Sequence, residues 1–551
     1  MSSSPAIPPS ESKPRSKFDH AFWMLNTIEM GERLAYYNLR VMAPIYIMQA
    51  DNPGGLHLTA ADKGRIYAWW AVFQSLLPII TGGLADRFGY KRTLAGAISL
   101  MAVGYFMIAF LRDLPALDAF AAWLPATLNH LGLTGLAGWL NRPGNYWGFF
   151  AGILTLATGT AFFKPGIQGS LAQNLTKANS SVGWGIFYWV VNVGAFIGHF
   201  LPAAILALSV ALPGPFFGEK NSLVAWRNVF LASGLFTLVN LALLLTYKDV
   251  PSGASKTESV LHVLGRTIAN ILDARLLAWL AIMSGFWMMM YQLWDTQPNF
   301  IADWVSSRPI AEGLTWLPKP LYETLVEQTP RGPMIPQQVL LSANAFFIIL
   351  GVIPAAWLTR KMRTLEAMLI GMFLATAGVL VAGWTQSAWI LVLGILFFSM
   401  GEMTTGPKKN EYLGLIAPPG KKGLYLGYVN IPVGVGVYIG SMVSGYVYGH
   451  YGEKAVLALK HLAKLDAFGR GHQWDGQVAT LEATLGITRM EAMEHLQTIT
   501  GLDATAATKL LWDTYSPHVH VWVPFGVIGV LSAVALWIFG RMAKRWSDMN
   551  A

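Results

Sequence analysis

Apolar runs of about twenty residues or more, broken by short polar loops, recur along almost the whole chain. Runs of that length match the thickness of a bilayer core, where each segment must satisfy its own backbone N–H and C=O groups as a helix. They fall at residues 22–50, 65–85, 93–111, 147–171, 182–208, 224–247, 274–300, 337–358, 365–384, 390–415, 424–448 and 521–542. The composition agrees: 54% of residues are hydrophobic and 13% charged, against about 25% charged in soluble proteins. The expected fold is therefore an all-α integral membrane protein with twelve transmembrane helices.

The polar segments give the order and the orientation. Residues 1–18 are rich in Ser and Pro and carry Lys13, Arg15 and Lys17, which reads as a cytoplasmic tail. Residues 248–273 are polar and separate six runs from six, so they are expected to be a cytoplasmic linker between an N-terminal half (19–247) and a C-terminal half (274–545). The net charge of +9 lies in short loops (Arg87, Lys91, Arg92; Arg360, Lys361, Arg363; Lys408, Lys409, Lys421, Lys422; Arg541, Lys544, Arg545). That bias puts those loops and both termini inside, and it argues for a lipid bilayer rather than nucleic acid as partner. Residues 113–146 are too interrupted to span and are expected outside, as are the Pro-rich stretch 302–336 and an extra insert at 450–517. The insert's histidines (His450, His461, His472, His495) are irregularly spaced, which favours surface residues over a metal site. The absence of Cys excludes disulfides, thiolate metal sites and cysteine nucleophiles.

The first run contains Glu29, Glu32, Arg33 and Arg40 together with Tyr36 and Tyr37. At about 100° per residue, all six fall on one face roughly 140° wide, opposite an apolar face of Met24, Gly31, Leu34, Ala35 and Val41. Each intramembrane charge costs about 2.5–3.5 kcal/mol on insertion scales, so four unpaired charges cost roughly 10 kcal/mol or more. The stripe must face protein or a watery cavity. Further polar groups lie at membrane depth: Lys164 ahead of Pro165, Asn192, Asn344, and Glu402 ahead of Gly406-Pro407. A cationic pole in the first half and a carboxylate in the second suit a zwitterionic ligand bridging the two.

The string Gly82-Gly83-Leu84-Ala85-Asp86-Arg87-Phe88-Gly89-Tyr90-Lys91-Arg92 resembles the signature loop of the major facilitator superfamily. The ordered set E-x-x-E-R-x-x-Y-Y-x-x-R from Glu29, F-K-P at Phe163–Pro165, F-Y-x-x-x-N-x-G at Phe187–Gly194 and G-E-x-x-x-x-P at Gly401–Pro407 resembles its proton-dependent oligopeptide transporter family. The resemblance implies a major facilitator fold and an importer of di- and tripeptides coupled to protons, with no catalytic residues, no metal and no cofactor beyond the proton. Carried over position by position, it implies that Glu29, Glu32 and Arg33 couple protons. Arg33, Tyr37 and Lys164 receive the peptide carboxylate, Tyr36 lies with Tyr37 at the ligand, and Asn192, Asn344 and Glu402 receive its amino terminus. Arg40 would belong to the outer gate. Tyr291 stands where the family often has an acid, so Asp295, one turn further out, is expected to pair with Arg40. The implied setting is the plasma membrane (the inner membrane of a Gram-negative cell), with a single chain as the working unit. The same fold carrying nitrate or another organic anion is an alternative, as is a transporter-like sensor. No catalytic Ser/His/Asp spacing, phosphate loop or H-E-x-x-H argues for an enzyme.

Overall fold

The computed structural model describes residues 18–176, 179–246, 273–417, 425, 427–465 and 474–546. Most of the expected tail and linker, Lys421, Lys422 and His472 lie outside the described residues.

The first half comprises α1 (His20–Arg40), α2 (Ala43–Met48), α3 (Ala60–Ala71), α4 (Pro78–Phe88), α5 (Tyr90–Phe110), the short α6 (Pro115–His130) and α7 (Thr134–Leu140), α8 (Gly144–Gln173), α9 (Ser180–Leu208) and α10 (Leu223–Leu244). The second comprises α11 (Ala274–Met290), α12 (Gln292–Asp295), α13 (Gln297–Trp304), α14 (Arg308–Gly313), α15 (Lys319–Leu325), a hairpin of β1 (Glu327–Thr329) and β2 (Gly332–Met334), α16 (Gln337–Thr359), α17 (Thr364–Gly383), α18 (Ala388–Ile416), α19 (Asn430–Tyr451), four short helices α20 (Lys454–Leu462), α21 (Val478–Leu485), α22 (Ala492–Thr500) and α23 (Ala504–Tyr515), and α24 (Pro517–Ala543). Among the described residues ten helices are long and apolar enough to cross a membrane. The sequence count of twelve adds α1, whose charges depress its hydropathy, and the stretch 60–88, which a π-helical turn at Val72–Leu76 divides ahead of Pro78.

Local chemistry sets several boundaries. Asp19 caps α1 through the Phe22 amide at 2.9 Å, and Asp273 caps α11. Thr59 and Asp62 form a reciprocal capping box, so the second long helix begins at Ala60 and not at residue 65. Gly89, at φ 91°, makes the tight turn between α4 and α5 that the signature loop demands. The expected seventh run breaks at Tyr291 and Thr296 into α11, α12 and α13.

The packing of the two halves repeats. In the first, α5 packs on α8 and α10, and α1 on α9 and α10; in the second, α17 packs on α18 and α24, and α11 on α19 and α24. The halves meet where α3 lies on α19 and α9 on α16. The first seam needs glycine. A Cβ on Gly64 would lie inside contact distance of the Ser441 carbonyl and 3.1 Å from the Gly445 Cα. The short helices α20–α23 gather around buried Leu457, Leu459, Leu462, Leu485, Leu496 and Leu511. Arg489 joins this cluster to the α2–α3 loop, donating to the His57 carbonyl at 2.7 Å and to the Glu453 carboxylate at 2.7 Å. The insert therefore caps the end of the bundle at which α1 finishes.

Candidate functional site

The stripe on α1 finds its partners at mid-bundle. The Arg33 guanidinium grips Glu32 with two parallel bonds, Nε to Oε2 at 2.5 Å and Nη2 to Oε1 at 2.8 Å, and lies 3.4 Å from Glu29 Oε1. From α8, the Lys164 ammonium donates to Glu29 Oε1 and reaches Glu32 Oε2 at 3.5 Å. Two carboxylates and two cations thus form one closed, formally neutral cluster, which removes most of the insertion cost of the bare sequence. Both glutamates are fully buried, Glu29 Oε2 has no hydrogen-bond partner among the described residues, and the Lys164 side chain is 24% exposed.

Pro165 helps to hold Lys164 in place. Lacking an N–H, it leaves the Ala161 carbonyl without its helical donor, and Thr81 Oγ1 of α4 donates there at 2.6 Å. Alongside the cluster, the Arg33 guanidinium sits 4.7 Å from the Tyr36 ring. The Tyr36 hydroxyl donates to Gln74 Oε1 at 3.2 Å, and Tyr37 stacks on His199 at 5.2 Å.

On the second half, Asn344 of α16 donates to Glu402 Oε2 at 3.1 Å and to Ser399 Oγ at 3.0 Å. Tyr37 of α1 and Tyr188 of α9 both lie within electrostatic range of Glu402. Asn192 is not joined to this pair; its amide donates to the Tyr188 carbonyl one turn back at 2.9 Å. Lys409, two turns beyond Glu402 on the same face of α18, lies with its ammonium 4.2 Å from the Trp287 ring.

The expected Arg40–Asp295 pair does not form. Arg40 is enclosed by rings, its guanidinium 4.2 Å from Tyr67, 4.5 Å from Trp70 and 4.7 Å from Tyr291. Asp295 instead pairs with Lys63 of α3 at 2.9 Å, both side chains fully buried. Ser441 of α19 also donates to Asp295, and Lys63 donates to the Asp295 carbonyl at 2.6 Å and to Asn299 Oδ1 at 3.3 Å. The rings beside Arg40 supply a cation–π environment, and Lys63 is the cation that α3 brings up to α12. Together with the Gln49–Asp303 bond at 2.8 Å and the Gln337 bond to the Val41 carbonyl at 2.8 Å, this pair fastens the halves at the capped end.

The Major Facilitator Superfamily model matches residues 28–305 and 332–459. The chain belongs to that superfamily. Among curated proteins it is similar to the dipeptide and tripeptide permease A of Proteus mirabilis (strain HI4320), 24% identical over 196 residues, which are 34% of this chain and 33% of that one. The chain thus matches only about a third of that relative's length. A structure described as showing substrate recognition in proton dependent oligopeptide transporters shares the fold at TM-score 0.60 and 15% identity, over 96% of this chain and 99% of the other. So does a variant of the nucleoside transporter NupG, at TM-score 0.60 and 12% identity over 94% and 100% of the two chains. At these identities the superfamily fold is shared, and side chains must decide the cargo.

Sequence reading missed Lys63, Tyr67, Trp70, Gln74 and His199. For Lys63 a signal existed: the capping box at Thr59–Asp62 places it on the first turn of a helix rather than in a loop. For the aromatic residues and His199 no pattern marked them, because their roles come from helices distant in sequence.

Proposed function

We propose that this chain is a proton-coupled symporter that imports di- or tripeptides across the plasma membrane by alternating access, with both termini cytoplasmic and a single chain as the working unit. The observation that carries the reading is the opposite polarity of the polar groups on the two halves. A paired acid–base cluster of Glu29, Glu32, Arg33 and Lys164 lies on the first half, and the Glu402–Asn344 pair lies on the second. The capped end, where the α1–α3 loop and the insert meet, corresponds to the outer face by the distribution of basic loops.

The cluster suggests how coupling works. Without ligand, Arg33 and Lys164 are already engaged by glutamates. An arriving peptide carboxylate competes for those cations, and a buried carboxylate stripped of its cation is neutralised at least cost by a proton. Binding of peptide and binding of proton then favour each other. The peptide amino group, at the other end, meets Glu402. A membrane potential adds about 2.3 kcal/mol per charge per 100 mV to inward movement of the proton.

The same fold carrying an anion such as nitrate would leave Glu402 opposed to its cargo. The decisive experiment is uptake of labelled dipeptide into proteoliposomes under an imposed inward proton gradient, with Lys164→Ala and Glu32→Gln as controls. Accumulation by the wild-type protein that is lost in both variants is expected. Absence of gradient-driven accumulation by the wild-type protein overturns the reading.

A further inference from the structure

A second cavity of about 450 Å³ lies at the capped end, away from the central cluster, between the α2–α3 loop of the first half and the hairpin and insert of the second. Its charged lining includes Asp51, Asp303, Arg331 and Lys454. Lys454 follows the Gly452-Glu453 turn at the start of α20 and is only 8% exposed. Among the described residues its ammonium has no hydrogen bond and no carboxylate within ion-pair distance. Its own backbone N–H is taken by Asp303 Oδ2 at 3.2 Å. That carboxylate is otherwise occupied by the Tyr448 hydroxyl at 2.7 Å and the Gln49 amide at 2.8 Å.

Arg331, from the β1–β2 turn, lies within electrostatic range of Lys454. Among the described residues it donates to the backbone carbonyls of Ala302 at 2.6 Å and Val305 at 3.5 Å. Two cations therefore line one cavity, and among the described residues no carboxylate is hydrogen-bonded or ion-paired to either side chain, although Asp303 lies within electrostatic range of both. Buried cations are normally paired, and an ammonium beside a guanidinium is a carboxylate-binding arrangement. Asp51, exposed and within electrostatic range of both cations, places a negative pole at the same mouth.

We propose that this cavity is an outer subsite for a small zwitterion, its carboxylate held by Lys454 and Arg331 and its amino group turned towards Asp51. The inference rests on the peptide reading for the identity of the zwitterion. It also gives the hairpin and the insert a role, which is to retain cargo at the outer mouth while the halves are closed beneath it. The central cluster and this subsite share no residue.

The test uses the absence of cysteine from the chain. Gln328→Cys places a single thiol on an exposed lining residue of the cavity, and its rate of reaction with an impermeant maleimide is measured without any gradient. Alanyl-alanine at about 10 mM is expected to slow labelling roughly threefold or more, as occupancy by a millimolar ligand requires. Alanyl-alanine amide, which lacks the carboxylate, is expected to leave the rate unchanged. Lys454→Gln is expected to weaken protection by about tenfold in ligand concentration, the loss of one charge-assisted bond. Adding Lys164→Ala, which disables the central cluster, should leave protection intact, so the result is read separately from transport. Equal protection by acid and amide, equal protection by acetate and dipeptide, or no protection by dipeptide each overturns the proposal. The comparison of ligands on the unaltered Lys454 does not depend on a variant that folds poorly.

Discussion

Breaking the Lys63–Asp295 pair should release the capped end of the bundle. Asp295→Asn removes the carboxylate and leaves the Lys63 ammonium fully buried. Removing one member of a buried pair costs about 3–5 kcal/mol. No solvent discount applies, since neither side chain is exposed. Lys63 keeps the Asp295 carbonyl at 2.6 Å and Asn299 Oδ1 at 3.3 Å, which puts the loss near the lower end. Once the halves separate at this end, both groups face water and the penalty vanishes. The equilibrium between closed and open should therefore move by about 3 kcal/mol, roughly 150-fold towards open. Replacing both residues by apolar side chains, Lys63→Met with Asp295→Leu, should restore closure, because a packed apolar pair substitutes for a buried ion pair at little cost. The assay is alkylation of Ser75→Cys, at the π-helical turn below the seam, by an impermeant maleimide applied to the outer face of right-side-out vesicles. The single variant should label roughly a hundredfold faster, and the double variant should return close to the parent rate. Labelling that is unchanged in Asp295→Asn, or that rises additively in the double variant, refutes the assignment of this pair as the closure element.

Three further outcomes are expected. On the proposed coupling, Glu32→Gln should abolish gradient-driven accumulation while sparing counterflow exchange, since the amide still accepts one bond from Arg33 but cannot bind a proton as a carboxylate does; loss of both activities would assign Glu32 to binding or folding. Gly64→Ala should hinder closure by forcing α3 from α19, because its methyl group would meet the Ser441 carbonyl and the Gly445 Cα; the Ser75→Cys labelling rate should rise, and a rate equal to the parent's refutes the close contact. The loop before α3 should loosen in acid. Burial pushes the His57 imidazole below its usual pKa, opposed by its bond to the Asn52 carbonyl and reinforced by the charges of Arg112 and Arg489. With the folded value depressed, the stabilisation is present above the unfolded pKa of about 6.5 and is lost as pH falls from there through the folded value. Amide exchange in residues 49–59, corrected for intrinsic rate, should therefore accelerate on acidification, and His57→Gln should flatten that dependence.

The cost of burying charge in a membrane explains how much of the site is legible in the chain itself. A carboxylate or an ammonium inside an apolar run must have a partner or a function, so Glu29, Glu32, Arg33, Lys164 and Glu402 declare themselves without any structure. Periodicity places the α1 residues on one face, and that face is where Lys164 meets them. Neutral and aromatic neighbours carry no such cost, so Gln74, His199, Tyr67 and Trp70 stay silent until helices from different parts of the chain are brought together.

The sequence by itself determined the membrane class, the superfamily loop, and the identity of the costly charges, because each follows from local composition and spacing. Tertiary structure alone decided the pairing. Asp295 lies one turn from Tyr291, within the reach expected of a partner for Arg40. The capping box nevertheless starts α3 at Ala60 and carries Lys63 up to the carboxylate, while three rings close around Arg40. Which cation reaches a buried acid depends on where helices cross, and that is set by packing between segments distant in sequence.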